Sequence, residues 1–290
     1  MNKILKNIKF GKFSFRNYSA NSIILLILFF TACDEIAENE RIVPADKINS
    51  QNTVLLEDYT GYTCTNCPAA AAMAATIKQT LDKSLTVVSI HTGPFSINSP
   101  FNTEAGDEYR KRFYPNDADG YPAGSISRML IDGKFVNTQF VKWGTSIVNR
   151  LNSSIPNIQL SLSANYSEAD KTFSVKSEIK ATDAPPHTLK LQLWITESGI
   201  KYYQTNGTPS PQEYIHNHVL RDAINGVWGE DISIAKGETK EMTSRIYDLN
   251  AKEWKPANSG KPENMHIVGF IYDSETMEVI DVKEIELIEN

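Results

Sequence analysis

Two cysteines separated by two residues are the feature of this sequence best suited to chemistry. Cys64 and Cys67 lie in YTCTNCPAAAAM, residues 62–73, at the start of an alanine-rich run. This spacing suits a thiol–disulfide exchange pair, a structural disulfide or half of a zinc site, because each uses two neighbouring thiols. The surrounding chain has to decide among the three.

A zinc site is the weakest of these three interpretations. A tetrahedral site needs two further ligands, commonly a second CxxC or a pair of histidines. The chain has three cysteines in all and no second CxxC. His216 and His218 would share one face of a strand, but the sequence does not place them near Cys64. We interpret them as polar residues at a domain interface or on a solvated strand face, and expect no metal and no cofactor.

The third cysteine, Cys33, follows an export signal. The segment before it carries five basic and no acidic side chains, and then eight apolar residues at 23–30. Eight is far below the ~20 residues of a membrane-spanning helix, and the order is that of a secretory signal. FTAC resembles a bacterial lipobox, in which the cysteine is lipidated. We therefore expect a signal peptide over 1–32, a lipid on Cys33 and an acidic tether over 33–51. The alternative is plain secretion with an unpaired Cys33.

The charge of the exported chain argues against nucleic-acid binding. The whole sequence has a formal charge of −6, and the five basic residues of the signal leave −11 for the remainder. Nucleic-acid binding requires clustered Lys and Arg. Export also places Cys64 and Cys67 where disulfides persist. The expected partners are envelope proteins with thiols or disulfides, and a membrane reached through the lipid. The sequence does not indicate the oligomeric state.

The elements around the cysteines predict a mixed α/β domain over 52–154. Apolar runs and helical spacing predict strands at 53–59 and 85–91, helices at 67–83, 101–113 and 138–151, and a hairpin at 126–136 that turns at Asp132-Gly133. Pro68 suits the first turn of the helix that begins at Cys67. A CxxC at a strand-to-helix turn in such a pattern indicates a thioredoxin-like domain.

The resemblance to thioredoxin extends to further residues. Asp58 lies six positions before Cys64, where thioredoxins have a buried acid, and Tyr121-Pro122 precedes the hairpin as their cis-proline does. The resemblance implies that Tyr121 binds substrate through its backbone. The match is incomplete, since the cysteines enclose Thr65-Asn66 rather than Gly-Pro, and Thr60 stands where thioredoxin has Trp.

Proton transfer and thiolate stabilisation have candidate residues. Cys64 is the expected nucleophile and Cys67 the resolving thiol. Asp58 or its neighbour Glu57 is expected to accept a proton from Cys67, and strand alternation predicts that only one of the two faces inward. His91 ends the second strand, at the same sheet edge as the CxxC, where it would stabilise a Cys64 thiolate. The alternatives are a loop histidine bonded to backbone and a solvent-facing acid.

Residues 155–290 form a different pattern. Apolar and polar residues alternate over 157–166, 172–179, 189–195, 268–272 and 279–285. Such alternation is typical of antiparallel strands with one solvated face. About seven short strands predict an immunoglobulin-like or fibronectin-like β-sandwich. We therefore expect an α/β domain followed by an all-β domain, each with its own core.

Three segments resemble the outer membrane protein 28 family of lipoproteins from Bacteroidota-type bacteria. They are EDYTGYTCTNCP, GYPAGSISR (120–128) and YIHNHVLRDAINGVWGE (214–230). The resemblance implies an outer-membrane or surface location. The function expected from the residues is thiol–disulfide exchange, and the alternative is a surface binding protein or adhesin whose disulfide is not catalytic.

Overall fold

The computed structural model describes residues 52–116, 119–155, 157–205 and 212–288. The helices are α1 (Cys67–Leu81), α2 (Glu104–Phe113) and α3 (Trp143–Leu151). The strands are β1 (Val54–Thr60), β2 (Leu85–His91), β3 (Ala123–Ile126), β4 (Ile158–Ser167), β5 (Thr172–Ala181), β6 (Leu189–Glu197), β7 (Ile200–Gln204), β8 (Gln212–His216), β9 (Val219–Ala223), β10 (Glu230–Ile232), β11 (Thr239–Thr243), β12 (Tyr247–Asp248), β13 (Met265–Asp273) and β14 (Val279–Glu286).

The largest sheet is mixed and has eight strands. Its order is β14-β13-β6-β9-β2-β1-β3, with β10 paired to β6. The β1–β2 and β2–β9 pairs are parallel, and the others are antiparallel. Strands from both sides of the predicted boundary at 154/155 therefore belong to one sheet.

The predicted domains 52–154 and 155–290 share one core cluster, which includes Tyr109, Phe113, Trp194 and Phe270, although each also has an apolar cluster of its own. β2 meets β9 where Ser89 pairs with Val219, and the Ser89 N–H donates to the His218 carbonyl at 2.8 Å. Residues 48–290 form one compact unit. The sequence did not reveal this because period-two alternation shows which face of a strand is buried, not which strand pairs with it.

Helices cover both faces of the part of the sheet that holds the CxxC. α1 and α3 pack on one face, through a cluster that includes Val54, Leu56, Ala70, Ala74, Trp143 and Ile147. α2 packs on the other face, where Tyr109 and Phe113 join residues of β6 and β13, namely Trp194, Phe270 and Tyr272. β1 is consequently buried along its whole length.

A second layer is formed by a four-stranded antiparallel sheet. β5 lies between β11 and β4, and it also pairs with β12. Its apolar face packs on β6 and β13 through residues such as Leu160, Val175, Ile179, Leu193 and Ile267. The predicted antiparallel strands are thus present. They pack on strands of the mixed sheet that also lie within 155–290, and the immunoglobulin-like or fibronectin-like assignment stays a prediction.

Two local predictions differ from the structure. The segment 126–136 turns at Asp132-Gly133, where both residues have positive φ, but beyond β3 it makes isolated bridges rather than a regular hairpin. β7 to β12 were not predicted individually, because most of them are short and few show alternation. β7 and β8 form a separate two-stranded sheet.

Candidate functional site

Cys64 and Cys67 form a disulfide at the start of α1, with their Cα atoms 5.4 Å apart. α1 begins at Cys67 with Pro68 in its first turn, as the sequence predicts. Each cysteine is only 2% exposed. The small side chains of Ala70 and Ala74 let α1 lie close to the sheet. Cys64 precedes the helix by three residues, in a tight turn closed by a 3.0 Å bond from its N–H to the Gly61 carbonyl.

A neighbouring loop holds this turn from one side. Both the N–H and the hydroxyl of Thr63 donate to the Phe95 carbonyl, at 3.2 and 2.9 Å. A Cβ added to Gly61 would lie 2.4 Å from the same carbonyl oxygen. Position 61 therefore requires glycine, because the Phe95 backbone would have to move for any side chain.

The hairpin of β7 and β8 holds the turn from the other side. The buried Gln204 amide donates to the carbonyls of Cys64 and Gly61, at 3.0 and 3.3 Å. The Thr205 N–H donates to the Tyr62 carbonyl at 2.9 Å. The Tyr62 ring lies 6.0 Å from both the Tyr202 and the Tyr203 ring. Sequence reasoning missed Gln204, since a lone glutamine in a short strand carries no motif.

Asp58 lies on the α1 face of β1 and is buried. Burial raises the pKa of its carboxyl from 3.8 to about 7, and its Oδ1 has no hydrogen-bond partner among the described residues. Asp58 and Cys67 line the same cavity of about 300 Å³. Other polar groups of that wall are Ser89, His91, Gln204, Tyr214, His216, Asn217 and His218. The structure therefore brings the predicted acid and the predicted resolving cysteine together.

Both acids of the Glu57-Asp58 pair are buried, which corrects the expectation that only one faces inward. Strand alternation holds, since Asp58 faces α1 and Glu57 faces α2. The expectation was wrong because it assumed one solvated face, whereas both faces of β1 are covered. Glu57 pairs with Arg128 and does not line the cavity beside Cys67. Asp58 is thus the candidate proton acceptor of the two.

His91 reaches the predicted sheet edge but does not carry a positive charge there. It is buried against Phe101 and His216, with ring centroids 4.8 and 5.3 Å away. Burial, then His216 and Arg221, hold its pKa well below the ordinary value. A neutral imidazole lacks the charge that thiolate stabilisation would need. His216 is also buried, and burial lowers its pKa to about 4. It thus lies in the interior, while half-buried His218 also lines the cavity.

The Tyr121-Pro122 peptide bond is cis, the isomer predicted from the resemblance to thioredoxin. Pro122 directly precedes β3, whose Ala123 pairs with Tyr59 of β1. The buried Tyr121 ring contacts Phe95 and Tyr114, and belongs to the same apolar cluster as the cysteines. Substrate binding by Tyr121 and a role for Pro122 in exchange stay predictions.

The described residues include neither a membrane-spanning helix nor a metal-binding cluster. Within 52–116, 119–155, 157–205 and 212–288, no helix has the length and apolar character to span a membrane. The same residues contain no group of three or more His, Cys, Asp or Glu side chains arranged to hold a metal ion. The predicted signal peptide, Cys33 and the tether at 33–51 lie outside the described residues.

The sequence profile of the family described as Outer membrane protein Omp28 matches residues 109–290, well over half of the chain. The chain belongs to the Omp28 family. This Omp28 protein is accordingly an outer membrane protein. The match begins after Cys64 and Cys67, so family membership carries no information about the CxxC. It includes Tyr121-Pro122, Gln204 and the 214–230 segment.

Solved structures extend the comparison of this Omp28 protein. HBP35 of Porphyromonas gingivalis is 16% identical, with a TM-score of 0.65 over 81% of this chain and 75% of that chain. This likeness shows a shared fold. A domain of the outer membrane lipoprotein Omp28 from Porphyromonas gingivalis is 25% identical, with a TM-score of 0.33 over 47% of this chain and 93% of that chain. No curated protein matches the chain.

Proposed function

We propose that this outer membrane protein performs thiol–disulfide exchange on envelope proteins through Cys64 and Cys67. The observation that carries the proposal is the buried Asp58, which lines the same cavity as Cys67. A carboxyl whose pKa is about 7 exchanges protons at neutral pH, unlike an ordinary aspartate. Asp58 and Cys67 share a cavity, which gives that proton a route between them.

Cys64 is the nucleophile in this proposal. It precedes the N-terminus of α1, where free backbone N–H groups and the helix dipole stabilise a thiolate. The Cys64 thiolate attacks one sulfur of a substrate disulfide. A bond forms between Cys64 and that sulfur, the substrate S–S bond breaks, and the other substrate sulfur leaves as a thiolate that takes a proton from water.

Cys67 completes the exchange. Its thiol gives a proton to the Asp58 carboxylate, and the resulting thiolate attacks Cys64 in the mixed disulfide. The Cys64–Cys67 bond forms as the bond to the substrate breaks, and the substrate leaves as a second thiolate. The substrate is reduced by two electrons and the protein is oxidised by two. The reverse sequence forms a disulfide in a substrate.

The proposal also includes export of the protein and its attachment to the membrane. We assign residues 1–32 as a signal peptide and Cys33 as the lipid anchor, because a basic segment, a short apolar segment and Thr-Ala-Cys follow in that order. The strand–helix–strand unit around the disulfide supports a thioredoxin-like ancestry for 52–154. In this arrangement the exchange site is held at the membrane, where exported disulfide proteins pass.

A second candidate is a surface binding protein or adhesin with a non-catalytic disulfide. The observation that favours it is the 2% exposure of both cysteines. A sulfur so well covered is shielded from protein disulfides unless its surroundings move. In this alternative the CxxC only ties the first turn of α1 to the preceding loop.

Mixed-disulfide trapping distinguishes the two functions. The full chain is compared with versions that carry Cys67→Ser or Cys64→Ser, both of which keep the Cys33 anchor. Exchange predicts that Cys67→Ser accumulates disulfide-linked envelope proteins that a reductant releases. Cys64→Ser is the matched control and accumulates far fewer. Equal and negligible capture by both variants would contradict exchange and support the binding role.

A further inference from the structure

Gln204 is a buried polar side chain that joins the β7–β8 hairpin to the cysteine-bearing turn. Its Nε2 donates to the carbonyls of Cys64, Thr205 and Gly61, at 3.0, 3.1 and 3.3 Å. The Cys64 N–H donates to the Gly61 carbonyl that Nε2 also contacts. One amide group therefore contacts both ends of the turn that carries Cys64.

The amide has a fixed position because the hairpin is anchored beside it. The Thr205 N–H is bonded to the Tyr62 carbonyl, and the Tyr62 ring contacts Tyr202 and Tyr203. The His216 ring, which packs on His91, holds the other strand of the hairpin. Without Gln204 the Cys64 carbonyl loses this donor and the Gly61 carbonyl keeps only the Cys64 N–H, so the turn is most stable where the amide reaches both carbonyls.

We propose that Gln204 is a positioning residue of the redox site, holding the Gly61–Cys64 turn in the conformation that places the Cys64 sulfur against Cys67. It thereby favours the disulfide over the two thiols. The reason is entropic: two thiols held together behave as if at high local concentration, and a loosened turn lowers that concentration. The proposal deepens the exchange function above and rests on it for its biological meaning.

The equilibrium with dithiothreitol measures this preference directly. In that reaction the protein S–S bond breaks, the protein takes two electrons and two protons, and the reagent becomes its cyclic disulfide. Gln204→Met keeps the length of the side chain and removes the donors. Loss of these hydrogen bonds is expected to shift the constant about tenfold toward the dithiol form, because each of them stabilises the turn.

Gln192 offers a matched control. It is also buried, and its Nε2 also donates to two acceptors, Asn225 Oδ1 at 3.1 Å and the Gly226 carbonyl at 2.9 Å. Gln192→Met removes comparable hydrogen bonds from a different turn. We expect its equilibrium constant to stay within about twofold of the unmodified chain, because those bonds do not hold the cysteines. Equal constants for the two variants would overturn the positioning role.

A second variant separates positioning from general loosening of the fold. Gln204→Glu keeps the shape and places a negative charge beside the Cys64 backbone. It is expected to raise the pKa of the Cys64 thiol, measured by pH titration of thiolate absorbance in the reduced chain, whereas Gln192→Glu is not. Circular dichroism checks that each variant is folded. An unchanged Cys64 pKa in a folded Gln204→Glu variant, or an unchanged dithiothreitol constant in a folded Gln204→Met variant, would contradict the proposal.

The trapping experiment and the dithiothreitol equilibrium distinguish failure of the exchange function from failure of the Gln204 proposal. A chain that traps no envelope protein through Cys67→Ser, yet shows the tenfold difference between Gln204→Met and Gln192→Met, has a positioned but non-catalytic disulfide. A chain that traps partners and shows no such difference exchanges without the help of Gln204. The dithiothreitol equilibrium needs no protein substrate, so the two outcomes are independent.

Discussion

Glu57 and Arg128 form an ion pair in which both side chains are completely buried. The Arg128 Nη2 lies 2.8 Å from Glu57 Oε1, and its Nε lies 3.1 Å from each carboxylate oxygen. Five aromatic rings surround the guanidinium at 4.5–5.8 Å, from Tyr109, Phe113, Trp194, Phe270 and Tyr272. The rings come from both sides of residue 154, so this pair lies where the two parts of the chain join.

Removing one partner of this pair is expected to destabilise the protein strongly. Glu57→Gln leaves the Arg128 charge buried without its counter-ion, at a cost of roughly 3–5 kcal/mol in the free energy of unfolding. Urea titration measures it. Glu57→Gln combined with Arg128→Met is expected to recover part of the loss. Lys111→Met, which breaks the exposed pair with Glu108, should have no measurable effect. A small effect of Glu57→Gln on the free energy of unfolding would show that stability does not depend on this ion pair.

Asp58 makes stability depend on pH. Its pKa is about 7 in the folded chain and 3.8 ordinarily, so the folded chain binds the proton more tightly. Stability from this group is therefore greatest below about pH 4 and is lost as the pH rises through 7, by roughly 4 kcal/mol in all. Asp58→Asn should remove that loss, as measured by urea titrations across this pH range. Glu213→Gln, at an exposed position of β8, is the control. An unchanged pH profile in Asp58→Asn would exclude Asp58 as the titrating group.

Cys64 is expected to react before Cys67 in the reduced protein. Its thiol lies ahead of the α1 N-terminus, so its pKa should fall below the ~8.5 of a free cysteine. Limiting alkylation near pH 6 should label mainly Cys64, as peptide mapping would show. The denatured chain is the control and should label both equally. Slow and equal labelling of the folded chain would speak against a stabilised Cys64 thiolate.

The segment 52–154 is expected not to fold alone. The apolar face made by Val88, Ile90, Tyr109 and Phe113 packs on Trp194, Phe270 and Tyr272 in the full chain. A fragment that ends at Ser154 would expose this surface. We expect weak near-UV circular dichroism and binding of a hydrophobic dye, compared with a chain that begins at Asn52 and runs to the end. A cooperative unfolding transition in the fragment would restore the two-domain interpretation.

Cys33 is expected to hold the protein at the membrane. Cys33→Ser should move the exported chain from the membrane fraction to the soluble fraction, because no lipid can be attached. Cell fractionation after a high-salt wash measures this, and Cys64→Ser, which keeps the anchor site, is the control. Retention of Cys33→Ser on the membrane would mean that another contact anchors it.

Local pattern was enough to predict the CxxC unit. The helix that starts at Cys67 with Pro68 in its first turn and the β2 bounds follow from spacing and residue type, and the buried Asp58 agrees with the resemblance to thioredoxin. The partners of these elements were not predictable, since nothing in the residues of β2 indicates that β9 pairs with it. For the same reason His216 was expected at an interface, but not beside His91. Gln204 donates to backbone carbonyls, and every residue has one. The residue types around Cys64 therefore do not indicate that Gln204 is its partner.

The bond between Gln204 and the Cys64 carbonyl joins residues 140 positions apart. A chain exported from its N-terminus presents both cysteines long before the hairpin that covers them emerges. The thiols are therefore open to an oxidant during translocation and become enclosed only when β7 and β8 arrive. Oxidation is therefore easiest while the chain is still emerging. The time between the emergence of Cys67 and that of Gln204 sets how long the thiols stay accessible.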